Sequence, residues 1–266
     1  MRPASLTVSG IHEAKGIVPA GHGLWNMARE TFRQVAFNPF NIGFSLLMPV
    51  FMYVMFGANQ PYSRISVGSG NVSATILASM TLFGVLLSAA SLGAGVSLER
   101  TQGIGRLYAL TPLSATWQIV ARLISSIGVA LLVIVVAFVA GGSIDAEMTP
   151  GTWIQTALLI LLLSTLGAAI GFGCGFAVRS DGAFAANSAV IVLSAFGSGM
   201  TVPLEQMGHV FQSLAPWMPL WGANQMVLLP LTGWDAFRSN MLINVVVWTG
   251  FFIALAMWGL GRDTRR

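Results

Sequence analysis

The sequence predicts an all-α membrane protein: six transmembrane helices, an amphipathic helix ahead of the first, and an extracellular re-entrant hairpin before the last. Three observations carry that prediction. The 266 residues are 55% hydrophobic and only 8% charged, with mean hydropathy +0.76, whereas soluble domains hold about a quarter charged residues. The chain carries no charge from Ile65 to Leu98, nor from Leu123 to Ile144. Its basic residues, finally, gather on one side of the implied topology. A span needs about 20 apolar residues, because an unpaired backbone group in hydrocarbon costs several kcal/mol and only a helix or a closed barrel pairs them all. The apolar runs are continuous rather than alternating, which argues against a barrel.

Residues 1–22 hold Arg2, His12, Glu13 and Lys15 and lack a long apolar run. No cleavable signal peptide is expected, so Met1 should start the mature chain and the tail should be cytoplasmic. Over residues 23–37, Leu24, Met27, Ala28, Thr31, Phe32 and Val35 recur at steps of three and four, with Arg29, Glu30, Arg33 and Gln34 between them. That is an amphipathic helix for the headgroup plane. Asn38-Pro39 ends it, since the residue before proline disfavours the helical region.

Charge-poor windows then place six spans within residues 38–261: about Pro39 to Ala58, Ala74 to Leu98, Gln118 to Gly141, Ile154 to Val178, Ala183 to Thr201 and Met241 to Leu260. Residues 262–266 form a short tail. In this topology Arg2, Lys15, Arg29, Arg33, Arg100, Arg106, Arg122, Arg179, Arg262, Arg265 and Arg266 share one side, against Arg64 and Arg238 on the other. Positive charge is retained in the cytoplasm during insertion, so both termini are expected there. Arg122, the one charge inside a window, lies near a cytoplasmic end and could snorkel to the headgroups. The net charge of +4 is explained by this bias and by anionic lipid, so no nucleic acid partner is expected.

The fourth window reads LGAAIGFGCGF, with Gly167, Gly171 and Gly175 four apart. Small residues on one face allow helices to pack closely in lipid. The partner helix could be internal, the preferred reading, or belong to another subunit. Cys174 lies among these glycines and is read as a small packing residue. No metal site is expected.

From Pro203 to Asp235 the chain is too polar to span and too apolar for an ordinary loop, and Pro203, Pro216, Pro219 and Pro230 punctuate it. Leu204, Met207, Phe211 and Leu214 form a stripe, with Glu205, Gln206, His209 and Gln212 facing away. PWMPLWGANQMVLLP follows as a second short apolar helix. Two broken helices dipping into the outer leaflet fit this pattern, provided their backbone is buried in protein or lines a cavity.

The longest cytoplasmic loop, ERTQGIGRLYALTPLS, runs from Glu99 to Ser114. Gly103 and Gly105 break the preceding helix, Arg106 to Leu110 can form a turn, and Thr111-Pro112 ends it. A loop that only set topology would not carry Leu107, Tyr108 and Leu110 into the cytosol, so the segment reads as a docking surface. It resembles the signature of type 2 ABC exporter permeases, matching it at Glu99, Gly103, Thr111, Pro112 and Leu113 and departing at Ile104 and Gly105. The amphipathic helix is similar to that family's elbow helix, and VPLEQMGHVFQSLAPWMPLW to its re-entrant hairpin.

The resemblance implies a pump of two membrane domains and two ATPase domains working by alternating access. Its coupling segment would be Glu99, Gly103, Arg106, Leu107, Tyr108, Leu110, Thr111 and Pro112. Its outer gate would be Pro203, Glu205, His209, Pro216 and Pro219. ATP and Mg would sit on a separate ATPase subunit, with no cofactor on this chain, because the single lysine, Lys15, lies between Ala14 and Gly16 rather than in a phosphate-binding loop. A second permease, a copy or a close paralogue, would complete the pathway.

The cargo implied is apolar or amphipathic: a drug, an antibiotic, a lipid-like molecule or a peptide. Polysaccharide or glycolipid export on the same fold is the alternative. An ion-coupled transporter is disfavoured by the want of intramembrane acidic relays. An intramembrane serine enzyme at Ser198 is disfavoured too, because no base lies near.

Overall fold

The computed structural model describes residues 20–103, 115–178, 182–202, 204 and 207–263. Helix α1, Ala20–Ala36, is the amphipathic helix, and the alternation read from sequence is the one it uses. Ala28 is buried and Phe32 and Val35 half-buried, while Arg29, Glu30, Arg33 and Gln34 are exposed. It docks on the first half of α4, Ala115–Ile144. There Ser125 Oγ donates to the Ala28 carbonyl at 2.7 Å, and Gly128 leaves room for the Phe32 ring.

Among the described residues, four helices are long and apolar enough to cross a membrane. They are α3 (Val72–Thr101), α4, α5 (Pro150–Ala177) and α9 (Ser239–Asp263). Two further apolar helices are shorter: α2, Ile42–Phe56, and α6, Gly182–Gly197. Between Ile42 and Leu47, α2 is wound as a π-helix, a local widening for which the sequence holds no cue.

The predicted fifth span reached Thr201, yet α6 stops at Gly197, and the reason is a Schellman turn. Met200 N–H bonds the Ala195 carbonyl at 3.1 Å and Gly199 N–H bonds Phe196 at 3.3 Å, with Gly199 at φ +78°. At the other boundaries, Asn71 Oδ1 accepts from Ala74 N–H at 2.8 Å and so caps α3. Thr149 caps α5 ahead of Pro150. Gly103, at φ +73°, follows the last turn of α3 in the left-handed conformation that terminates helices.

The centre of the bundle is the seam between α3 and α5. A Cβ at Gly167, Gly171 or Gly175 would lie 2.7, 2.1 or 2.5 Å from the carbonyl oxygens of Leu86, Ala90 and Gly93. The four-residue glycine ladder therefore serves internal packing, backbone against backbone, and Cys174 is buried beside it. The opposite side of α5 meets α9, where Gly173 fits Phe252 and Gly259 fits Phe176.

Residues after α6 depart from the predicted two-helix stripe. Helix α7 is only His209–Leu214 and buries none of its residues, so Phe211 and Leu214 are exposed. Extended backbone at Gly208 delays its start, and Gln212, rather than facing away, folds back to donate to the Leu204 and Met207 carbonyls. By contrast α8, Trp221–Thr232, is almost wholly buried against α9, α3 and α5.

At the end of the bundle opposite α1, the strands β1 (Ser66–Val67) and β2 (Gly70–Asn71) make a small antiparallel hairpin. Ser69 at its tip donates through Oγ to the Pro230 carbonyl at 2.6 Å and through N–H to Leu231 at 3.0 Å. Asp145, after α4, accepts from Asn59 N–H at 2.8 Å and from Arg64 at 3.2 Å. Here α2, α3, α4, α5 and α8 are tied by hydrogen bonds.

Candidate functional site

The end of the bundle nearest α1 is built differently. Glu99, on the last turn of α3, forms an ion pair with Arg122, on the second turn of α4. Arg122 does not snorkel: 8% of its side chain is exposed, against 28% for Glu99. A guanidinium keeps its charge at any accessible pH, so burying it requires an adjacent carboxylate and hydrogen-bond acceptors. Glu99 supplies both and thereby joins the two helices that flank the Glu99 to Ser114 segment.

The pair forms one end of a cavity of about 770 Å³. Its walls come from α1 (Thr31, Gln34, Val35), α2 (Phe44, Met48, Met52), α3 (Met80, Phe83, Leu87, Leu92) and α6 (Phe184, Ser188, Val192, Phe196). The phenylalanines and flexible methionines supply much of the apolar part of the lining, a combination that conforms to apolar ligands of varied shape. Near the start of α2 a short polar ladder adds direction. Asn41 Nδ2 donates to the Val35 carbonyl at 3.0 Å, and Ser45 Oγ donates to Asn41 Oδ1 at 3.0 Å. The cavity thus has an apolar body and a polar end. A second depression, of about 600 Å³ beside Phe138 and Trp153, is a shallow open groove at the opposite end of the bundle.

The predicted site residues divide into those described and those outside the described residues. Glu99 and Gly103 have the places given above, whereas Arg106, Leu107, Tyr108, Leu110, Thr111 and Pro112 lie outside the described residues, as do Pro203 and Glu205. His209 is exposed at the start of α7. Pro216 and Pro219 flank the turn between α7 and α8, which α9 organises. Asn244 Nδ2 donates to the Pro216 and Met218 carbonyls at 2.9 and 3.1 Å, and its Oδ1 accepts from Gly222 N–H. None of the three described gate residues lines the cavity.

Sequence reasoning missed the cavity wall and Asn244. It allowed Glu99 to pair with an arginine but did not name Arg122, although Arg122 is the one charge within a predicted window and Glu99 is the acidic residue just past the window before it.

Comparisons with known proteins agree with this architecture. Residues 58–258 match the family described as "ABC-2 family transporter protein". The chain is also 31% identical over 193 residues, covering 70% of this chain and 76% of the relative, to "Putative transport permease YvfS" of Bacillus subtilis (strain 168).

Proposed function

The chain belongs to the ABC-2 family of transporter proteins, and from that premise we propose that it is the permease of an ATP-driven exporter whose apolar or amphipathic cargo enters the cavity between α1, α2, α3 and α6. Family membership makes it a multi-pass transport subunit that works with an ABC ATPase. The finer reading is ours. The four long helices together with α2 and α6 make six spans, with α1 as the elbow and α7 and α8 as the hairpin. Both termini are cytoplasmic in a bacterial inner membrane, and a second permease, a copy or a paralogue, closes the open side. ATP and Mg are held by the partner.

The cavity carries this reading. Its lining suits drugs, antibiotics, lipid-like molecules or apolar peptides better than a polysaccharide, which would need many hydroxyl partners. Its polar end also coincides with the root of the coupling segment. Movement of that segment by the ATPase would act through Glu99 and Arg122 on a cavity wall directly, with cargo affinity changing as the two helices part. Export follows if the cavity loads from the cytoplasmic leaflet and empties beyond α8.

Gly95 offers a clean test, because it lines the cavity and a Cβ there would meet nothing within 4 Å. Gly95→Trp should fill the space without disturbing packing. The complex reconstituted in vesicles should keep its basal ATPase activity and lose at least tenfold in ATP-dependent efflux across a panel of apolar and amphipathic dyes. Wild-type efflux of every dye that the parent exports would remove the cavity from the pathway.

A further inference from the structure

Helix α6 presents two unlike faces. Phe184, Ser188 and Val192, four residues apart, line the cavity. Asn187, Ile191 and Ser194 are buried on the face that packs against α3 and α5. Asn187 is out of place there: it is 0% exposed, and neither its amide nitrogen nor its amide oxygen has a hydrogen-bond partner. An amide carries two donor hydrogens and an acceptor, and burying all of them unpaired opposes the conformation that does so. Ser88 on α3 and Thr201 just past α6 also hold buried hydroxyls without partners. Thr201 lines the cavity. Thr156 on α5 holds a further such hydroxyl, and among the described residues Asn187 is the only side chain with two unpaired buried polar atoms.

Successive helical residues lie about 100° apart around the axis, so a rotation of α6 by a fraction of that angle would bring Asn187 to the cavity edge beside Ser188. The helix is suited to move as a unit. It has 16 residues, starts at Gly182, and ends in the Schellman turn at Gly199. We propose that α6 is a two-position element: in its second position Asn187 enters the cavity wall, pairs its amide there, and lowers the affinity of the wall for apolar cargo. The proposal rests on reading the cavity as the cargo path. In the position described here, apolar cargo against Phe184 and Val192 favours retention and the unpaired amide favours the turn. ATP-driven movement of α3 then needs only to tip a balance between two packed arrangements, since a ligand shifts an equilibrium by its difference in affinity for the two states.

The test needs no identified cargo. In a Cys174→Ala background of the full permease and ATPase complex, Ser188→Cys and Asn187→Cys are reacted with a small membrane-permeant maleimide, with and without trapping by ATP and vanadate. Ser188→Cys should react without nucleotide. Asn187→Cys should be protected without nucleotide and react at least tenfold faster when trapped. Equal protection in both states would overturn the proposal, leaving an internal water as the partner of the amide.

Asn187→Leu gives a second readout that does not depend on the cysteine variant assembling. It should raise the thermal midpoint of the nucleotide-free complex and lower that of the trapped complex. Shifts of the same sign in both states would also overturn the two-position element. A failure of these measurements leaves the effect of Gly95→Trp on efflux untouched, so a failure of the two-position element is distinguishable from a failure of the cargo path.

Discussion

The two faces of α3 both carry leucine and glycine and do opposite things. On one face Gly93 lies against α5 so closely that a Cβ would sit 2.4 Å from the Gly171 carbonyl carbon. Two residues on, Gly95 looks into open cavity. Leucine and glycine occur on both faces, but Ala89, Ala90 and Ala94 lie on the seam while Met80 and Phe83 face the cavity, and the seam also meets small residues at matching heights on the facing helix. Where Gly167, Gly171 and Gly175 supply them, backbones touch and dispersion contacts are continuous. Where Phe44, Met48 and Phe184 face α3 instead, space remains between them, although α2 touches α3 beside it, where a Cβ at Gly84 would lie 2.5 Å from the Ser45 carbonyl oxygen. One helix thereby belongs to a rigid seam and to a wall that can part from its neighbours.

The largest expected effect lies on the seam. Gly171→Ala puts a methyl 2.1 Å from the Ala90 carbonyl oxygen, and neither backbone can yield without separating the helices. Its cost should lie at or beyond the upper end of the ordinary range of about 0.5–3 kcal/mol for single substitutions. Size-exclusion chromatography of the detergent-solubilised protein should show little folded material. A Gly95→Ala protein should elute as the parent does. Equal folded yields would mean that the seam is softer than its geometry implies, and the contrast between the faces would fail.

That contrast was only half legible in the sequence. The glycine ladder in the fourth window announced close packing, since four-residue spacing of small residues has few other uses in lipid, and the structure supplied the partner. The amphipathic α1 was legible nearly residue by residue, because its charged positions interrupt the apolar ones at helical spacing. The cavity was not legible. Phe83 and Leu87 face it while Leu82 and Leu86 are core, and periodicity cannot distinguish a wall from a core when both are apolar. Nor could the start of α7 be read, because the Gln212 side chain and an extended Gly208 override the 3.6-residue stripe from Leu204 to Leu214. Asn187 was visible as the lone amide in the fifth window, but only packing shows that it is unpaired.

The next effect sharpens the comparison at the C-terminal end of α3, where Glu99 pairs with Arg122 at the cavity. Removing one partner of a buried pair typically costs about 3–5 kcal/mol, chiefly because the other charge is left uncompensated. Arg122 is the more buried of the two, so Glu99→Gln should destabilise more than Arg122→Gln. The double replacement by Met should recover most of the lost stability, since no buried charge then remains. If the pair transmits movement from the coupling segment, the stable double variant should still hydrolyse ATP without efflux. Restored efflux would limit the pair to a packing role. Thermal melts in detergent and efflux from vesicles, at matched protein levels, provide both readings.

The smallest effect asks whether the far end of the bundle fixes α3 so firmly that its cavity face cannot part from α2. Asp145 is the group to titrate. The Asn59 N–H donated to its carboxylate, followed by the charge and hydrogen bonds of Arg64, holds its pKa below the usual aspartate value. A carboxyl with a depressed folded pKa stabilises the fold fully above its unfolded value of about 3.9 and loses that contribution as pH falls through the lower folded value. Between pH 7 and about pH 5, therefore, the thermal midpoints of the parent and of Asp145→Asn should differ by a constant amount. Below about pH 4 the gap should narrow, because protonated Asp145 resembles the amide. The shift should be small, since Arg64 is largely exposed and screened by solvent. Efflux by Asp145→Asn at neutral pH should stay within about twofold of the parent, as the remaining ties through Ser69 and Asn71 still hold the hairpin. A rise in efflux well beyond that would identify the Asp145 tie as a latch on the cavity face, and would move the boundary between the rigid and the mobile parts of the molecule to the loops beside the β1–β2 hairpin.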